Sequence, residues 1–299
     1  LFLEQPPGYV DPCYPNHVCR LNKALYGLKQ VPLAWFHRCS TFLLQFGFHC
    51  SRADPSLFVY QRKVSTLYLL VYVDNIVLTS SNPCLLKDFI ARLSNEIAMK
   101  DLGDLHYFLG IEFHHTPQGL FLSQSKYALD ILEWASMVDC KPVSTPMVVG
   151  QHLSSNGSPY ADLTHFRSIV GALQYLTITR PDLAYSVNTM CQFMHAPIEK
   201  HYQVVKCILR YIKGSLHFGL AIYSDSQQRL LTYLDTDWAG CPDTRRSTSG
   251  FAVFLGLNLI SWNAKKQPTV YCSSAESEYR SLAIIAVELT WLSHLLWEL

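Results

Sequence analysis

Charged side chains are scarce in this chain. Asp, Glu, Lys and Arg make up 16% of its 299 residues, against roughly 25% in ordinary soluble domains. With a net charge of +1, bulk electrostatics do not make it a nucleic-acid binder, and any such contact rests on local patches. Paired cysteines are lacking as well. The ten cysteines are scattered singly with no CxxC pair, and Cys13, His17 and Cys19 have no second half of a zinc site. That pattern points to reduced, mostly buried thiols in an intracellular protein. No charged n-region and apolar h-region open the sequence, so no signal peptide is expected. No apolar run approaches the roughly 18 residues of a membrane span, so no membrane partner is expected. The first residue is Leu1 rather than Met, and the start reads as the inside of a longer frame.

What is present is an alternation of strand-like and helical patterns. Residues 1–20 are rich in Pro, Gly and Tyr and read as extended loop. Residues 21–48 carry a helical stripe of Trp35, Phe36, Leu43 and Phe46 that stops at Gly47. Strands are expected at 57–60 and 67–78. A helix follows, with Ser81 or Asn82 as cap, Pro83 in the first turn, and Leu86, Phe89, Ile90, Leu93 and Ile97 on one face. Residues 105–113 alternate as one strand, with Gly110 allowing close backbone approach on one side. A short strand at 120–122 and a helix at 126–135 come next. Residues 142–160 hold three prolines, two glycines and several serines and read as a linker. Helices are expected at 163–177, 183–194 and 198–212, then strands from Gly219, including a hairpin of 251–255 with 259–263. A final helix spans 277–297 with Leu282, Ala286, Leu289, Leu292 and Leu296 inward.

Two sets of acids stand out. In LYLLVYVDNIVLTS (67–80), two apolar runs flank Asp74-Asn75, which reads as a tight hairpin with that pair at its tip. Asp74 there is either a turn former or a metal-holding carboxylate on a rigid support. The second set joins LTYLDTDWAG (231–240), a strand with Asp235 and Asp237, to SSAESEY (273–279), which opens a helix with Glu276 and Glu278. An acid on a strand and one on a following helix form a plausible half of a two-metal site. Glu276 also suits a first-turn acid facing the helix dipole, and Asp237 suits a turn before Trp238.

These residues sit in seven collinear motifs: LYGLKQVPLAWF (25–36), YVDN (72–75), DLGDLHYFLGIEF (101–113), SIVGALQYLTITRPDLAYSVN (168–188), DTDWAGCPDTRRSTSGF (235–251), ISWNAKKQPTV (260–270) and SSAESEY (273–279). Together they resemble the polyprotein of copia-type LTR retrotransposons over essentially the whole chain. The resemblance implies an α+β chain: an incomplete reverse-transcriptase palm (1–142), a linker (143–160), a helical thumb or connection (161–218) and a partial ribonuclease H-like domain (219–299). Gln30 and Pro32 match the motif that packs against the new base pair and the template. Asp74 matches the first acid of the polymerase signature, and Gly110 resembles the primer-grip strand. Asp235 and Glu278 match the first two ribonuclease H acids, Glu278 rather than Glu276 because Tyr follows it, and Lys265 and Lys266 lie where substrate phosphates would be near. His49, His114 and His115 match no catalytic position.

The implied ion is Mg²⁺, with Mn²⁺ as a substitute, held by Asp74, Asp235 and Glu278. The implied partners are an RNA template, a DNA primer and an RNA–DNA hybrid. Several departures weigh against activity. Asn75 stands where the family has its second signature acid, and Leu33 where it usually has Arg. The motif with the polymerase's first acid lies upstream of EQPPGY (4–9), and the strand with the third ribonuclease H acid would follow residue 299. The chain as given is therefore expected to be a catalytically inactive fragment of a reverse transcriptase with ribonuclease H. The alternatives are a functionless transposon remnant and a host-retained binding module without catalysis, and the near-neutral charge speaks against the module.

Overall fold

The computed structural model describes residues 2–22, 31–62, 65–73, 75–97, 99–148, 150, 153–224 and 228–299. It is an α+β chain, with seven α-helices and four antiparallel sheets among the described residues. The chain divides into two units, residues 1–103 with 292–299, and residues 104–291.

In the first unit, β1 (Phe2–Leu3) and β2 (Cys19–Arg20) form a two-stranded ladder at the ends of the segment expected as loop alone. Helix α1 (Val31–Phe46) starts with Pro32 in its first turn, where a missing N–H costs nothing. It stops at Gly47, whose φ of 110° closes the helix through a bond from its N–H to Leu43 O. Strands β3 (His49–Cys50), β4 (Leu57–Arg62), β5 (Ser65–Tyr72) and β6 (Asn75–Ser80) follow in spatial order. Asn82 then caps α2 (Pro83–Glu96) by accepting from the N–H groups of Cys84 and Leu85. Cys39, Leu43, Phe58, Leu67, Leu69, Phe89 and Leu93 make one core between the helices and the sheet. The hairpin differs from expectation by one residue. Asn75 is already in β6, opposite Tyr72, so it is a strand residue and not half of the tip.

In the second unit, residues 105–113 are not one strand. β7 (Tyr107–Phe108) and β8 (Ile111–Thr116) are joined by a two-residue turn in which Leu109 has φ 49° and Gly110 φ 76°. Two consecutive positive φ values are what a tight hairpin requires, so Gly110 turns the chain instead of continuing it. β9 (Gly119–Ser123) leads to α3 (Ser125–Trp134), and α4 (Leu163–Leu176) begins at the cap Asp162. The helix expected at 183–194 is a 3₁₀ turn, Pro181–Leu183, followed by the shorter α5 (Ala184–Cys191). The highly amphipathic α6 (Glu199–Gly214) completes the helical block. Phe166, Leu173, Leu176, Val205, Ile208, Leu209 and Ile212 are buried together in its core.

β10 (Leu220–Tyr223) pairs back onto β9, giving the sheet order β10-β9-β8-β7. β11 (Leu230–Asp237), β12 (Thr248–Leu255) and β13 (Asn258–Lys266) form a meander of their own. The Asn258 amide takes the Tyr223 N–H and donates to the Tyr223 carbonyl, linking β10 to the β12–β13 turn. The last helix, α7 (Ser274–Glu298), turns inward a face that matches the expected one only in part. Ser277, Ser281, Ile285 and Leu292 are buried, while Leu282 is 50% exposed and Ala286 faces out. Its first turns dock on strand hydroxyls, and of the expected stripe Leu292 is buried and Leu289 and Leu296 are partly buried.

The expected linker contains no helix or strand among its described residues, only a bridge from Pro159 to Ile198. It is nevertheless held. His201 is fully buried and stacked on Phe193, and its Nδ1 accepts from the Ile198 N–H while Nε2 donates to Ser154 O. Asp243 accepts from both the N–H and the hydroxyl of Ser155.

Two predictions follow from this packing. Phe166→Ala should cost about 3–5 kcal/mol in denaturant unfolding, the usual range for emptying a fully buried aromatic site. Burial lowers the His201 imidazole below its ordinary value. The unfolded chain therefore takes up this proton first, and the stability His201 contributes is lost as pH falls from its ordinary value through the lowered one. The Tm advantage of the native chain over His201→Gln should shrink between about pH 7.5 and about pH 5.5, and a constant advantage would contradict this.

Candidate functional site

At the β5–β6 hairpin, strand pairing fixes the backbone around YVDN. Tyr72 and Asn75 close the ladder, and Val73 between them has φ 54°. Positive φ in a β-branched residue is a true outlier. Strain of this kind concentrates where a turn must present a group in fixed geometry. Tyr72 and Val73 are both more than half exposed. Asp74, like Gln30, lies outside the described residues. Pro32 and Leu33 lie exposed in the first turn of α1. Gly110 packs its turn against the Tyr175 ring, and the Tyr175 hydroxyl donates to the Leu109 carbonyl.

The second region is built on the β11–β13 meander. Thr236 and Ser249 are cross-strand partners, and both their hydroxyls meet Ser281 of α7 at 2.6 Å. Gln267, just after β13, completes the seam. Its amide nitrogen donates to Ser249 Oγ, Ser281 Oγ and the Ser277 carbonyl, and its oxygen accepts from the Ser277 hydroxyl. Strand alternation sends Asp235 and Asp237 to the other face of β11, together with Lys266 and Trp262. Asp235 is exposed. Asp237 leans over Gly240 so closely that a Cβ there would meet its carboxylate, which fits its reading as a turn residue.

At the start of α7, Ser273 Oγ accepts from the Glu276 N–H, and the Glu276 carboxylate accepts from the Cys272 N–H. Glu276 is thus occupied in capping, and Glu278 is the exposed acid on the helix flank. Lys265 is exposed, whereas the Lys266 amine points to Cys241 Sγ at 2.7 Å. The donor set of Asp235 and Glu278 has the hard-oxygen chemistry that Mg²⁺ prefers. The described residues do not gather it into a cage, since no group of three or more His, Cys, Asp or Glu side chains comes together among them. The Gln267 seam and the Cys241–Lys266 contact carried no recognisable spacing signal. Gln267 follows the two lysines immediately, and this adjacency was the available clue.

The match to known proteins covers both regions. A family model described as reverse transcriptase (RNA-dependent DNA polymerase) matches residues 1–149. The retrovirus-related Pol polyprotein from transposon RE1 of Arabidopsis thaliana is 48% identical over 300 residues, spanning all of this chain. The chain belongs to the copia-type retrotransposon Pol polyprotein family. The Pol polyprotein from transposon TNT 1-94 of Nicotiana tabacum is 34% identical over 312 residues, again across this whole chain. The chain spans about a fifth of the length of these polyproteins, 20% of RE1 and 23% of TNT 1-94. An uncharacterized mitochondrial protein of Arabidopsis thaliana, AtMg00810, is 55% identical over 227 residues, which are 76% of this chain and 95% of that protein. No solved structure gives a significant match. No helix among the described residues of this Pol segment is long and apolar enough to cross a membrane.

The seam generates one prediction. Gln267→Leu removes three donated bonds and leaves buried hydroxyls short of partners, so it should destabilise the chain by about 1–3 kcal/mol. Amide exchange at the first turns of α7 should accelerate with it, and unchanged protection there would contradict the seam's role.

Proposed function

We propose that this chain is the later part of a copia-type reverse transcriptase followed by the beginning of its ribonuclease H, acting in the intact parent on an RNA template, a DNA primer and the RNA–DNA hybrid. The observation that carries this reading is the 48% identity to the RE1 polyprotein over 300 residues, a span of this chain that takes in all seven motif segments. In this reading, residues 1–142 belong to the palm, 143–160 to a linker, 161–218 to the thumb or connection, and 219–299 to the ribonuclease H-like part. Asp74 is the polymerase acid, Gln30 and Pro32 contact the new base pair and template, and the Gly110 turn approaches the primer end. Asp235 and Glu278 are the ribonuclease H acids, with Lys265 and Lys266 beside the substrate phosphates. The capping role of Glu276 supports the choice of Glu278. Reverse transcriptases use divalent metal ions, and Mg²⁺ or Mn²⁺ held by these acids would stabilise charge on the transferring phosphoryl group.

We also propose that the polymerase half is inactive with this sequence. Asn75 preserves the strand pair with Tyr72 but brings an amide in place of a carboxylate. Metal stabilisation is worth several kcal/mol and each 1.36 kcal/mol is tenfold in rate, so the deficit should be about a thousandfold. The same substitution, with the 60% exposed Leu33, favours a functionless remnant as the second reading. The deciding experiment carries this segment within a complete polyprotein and measures Mg²⁺-dependent primer extension. Asn75→Asp should raise extension about a thousandfold. Equal, robust extension by both forms would overturn the inactivity proposal, and no extension by either would favour the remnant.

A further inference from the structure

The β11–β12 connection wraps around one thiol. Cys241 donates its N–H to Arg246 O, and its own carbonyl accepts from the Arg245 N–H, so residues 241–246 close on themselves. Arg245, with φ 54°, makes the tight return. Lys266, at the end of β13, lies one strand over, on the face shared with Thr248. Its Nζ sits 2.7 Å from Cys241 Sγ, and both residues are half-buried. Elements distant in sequence thus bring one ammonium and one thiol into direct contact, with partial access for small solutes.

The electrostatics favour thiolate. Burial raises the Cys241 thiol, but the Lys266 contact and hydrogen bonds from Thr244 and Asp243 more than offset it, bringing it down to about 7. Burial instead pushes the thiols of Cys39, Cys50 and Cys191 up. A thiolate is the nucleophilic form of cysteine, and its oxidation by peroxide gives a sulfenic acid that condenses with nearby nitrogen.

We propose that Cys241 and Lys266 are a redox-responsive cross-link pair, joined by a sulfur–nitrogen bond when the chain meets hydrogen peroxide. In the first step the Cys241 thiolate attacks one peroxide oxygen. The S–O bond forms, the O–O bond breaks, and the departing hydroxide takes a proton from the Lys266 ammonium to leave as water. Sulfur is oxidised by two electrons and peroxide is reduced. The thiolate charge that held the ammonium is gone, and a neutral amine faces the sulfenic acid. In the second step this amine attacks sulfur, the S–O bond breaks, and hydroxide leaves with a proton from nitrogen as a second water. The product is a sulfenamide, reversible by thiols. It staples the 241–246 loop to β13 and removes one positive charge that acts on Asp243.

The test treats the full chain with hydrogen peroxide at neutral pH, followed by protease digestion and mass spectrometry. The expected product is a peptide pair joined through Cys241 and Lys266, lighter than the sum of its parts by two hydrogens and separated by dithiothreitol. Before oxidation, Cys241 should alkylate roughly five- to tenfold faster than the exposed Cys13 and Cys272, from its larger thiolate fraction. Lys266→Arg keeps the positive charge but not the condensing amine. It should retain a fast thiol, trap as a dimedone-labelled sulfenic acid, and give no cross-link, while Cys241→Ser should lose both signals. Cys241 reacting no faster than Cys13, or oxidation without a Cys241–Lys266 link in the native chain, would overturn the proposal.

Discussion

A buried guanidinium holds the larger unit together. Arg180 is 2% exposed, and each of its three nitrogens donates to a partner. It grips Asp182 through Nε and Nη2, the Ser215 carbonyl through Nη1 and the Ser215 hydroxyl through Nη2, and it lies against the rings of Tyr211 and Phe218. The flanking residues extend the same junction. Thr179 donates to Gln124 at the start of α3, and the Thr177 carbonyl accepts from the Trp262 indole of β13. The seven residues between α4 and α5 therefore fix the end of α6, the start of α3 and the third strand of the meander. A buried ion pair is weak evidence for net stability, but removing one partner leaves an uncompensated charge, so such a junction tolerates little local variation.

The two candidate regions are presented by different physics. The β5–β6 turn is a strained backbone element, with Val73 forced into the left-handed region by a ladder that closes at Tyr72 and Asn75. The β11–α7 region is positioned by hydrogen bonds, through the hydroxyls of Thr236, Ser249, Ser277 and Ser281 and the amide of Gln267. Glu276 spends its charge on the helix start, and Asp237 on its own turn. What remains outward is the pair that family resemblance singles out, Asp235 and Glu278.

Much of the fold was legible because its signals are local. Asn82 with Pro83 marks a helix start, Gly47 marks an end, and alternating apolar residues mark the strands around the hairpin. The failures share a cause. Gly110 is expected inside a strand as a point of close backbone approach, because the alternation around it is equally compatible with a strand and with a turn at Leu109-Gly110. The apolar stripe of α7 finds Leu292 but misses Ser277 and Ser281, because the sheet that the first turns meet offers Thr236 and Ser249, and a helix facing hydroxyls buries serine. The 3₁₀ turn at Pro181 shortens a helix whose apolar pattern continues past both ends. At the site level, short motifs exposed the acids and lysines. The contact of Lys266 with Cys241 depends on strand pairing between segments some twenty-five residues apart, and no pattern along the chain encodes it.

The hydroxyl seam also sets how heat acts on this part of the molecule. Heat-capacity change on unfolding comes from exposing apolar surface, and exposing polar surface lowers it. Prying α7 from its sheet uncovers serines, a threonine and an amide, whereas opening α4 from α6 uncovers Phe166, Leu173 and Ile208. The α7 interface therefore has the flatter dependence on temperature, and it keeps its strength in the cold, where the hydrophobic attachment of the helical block weakens.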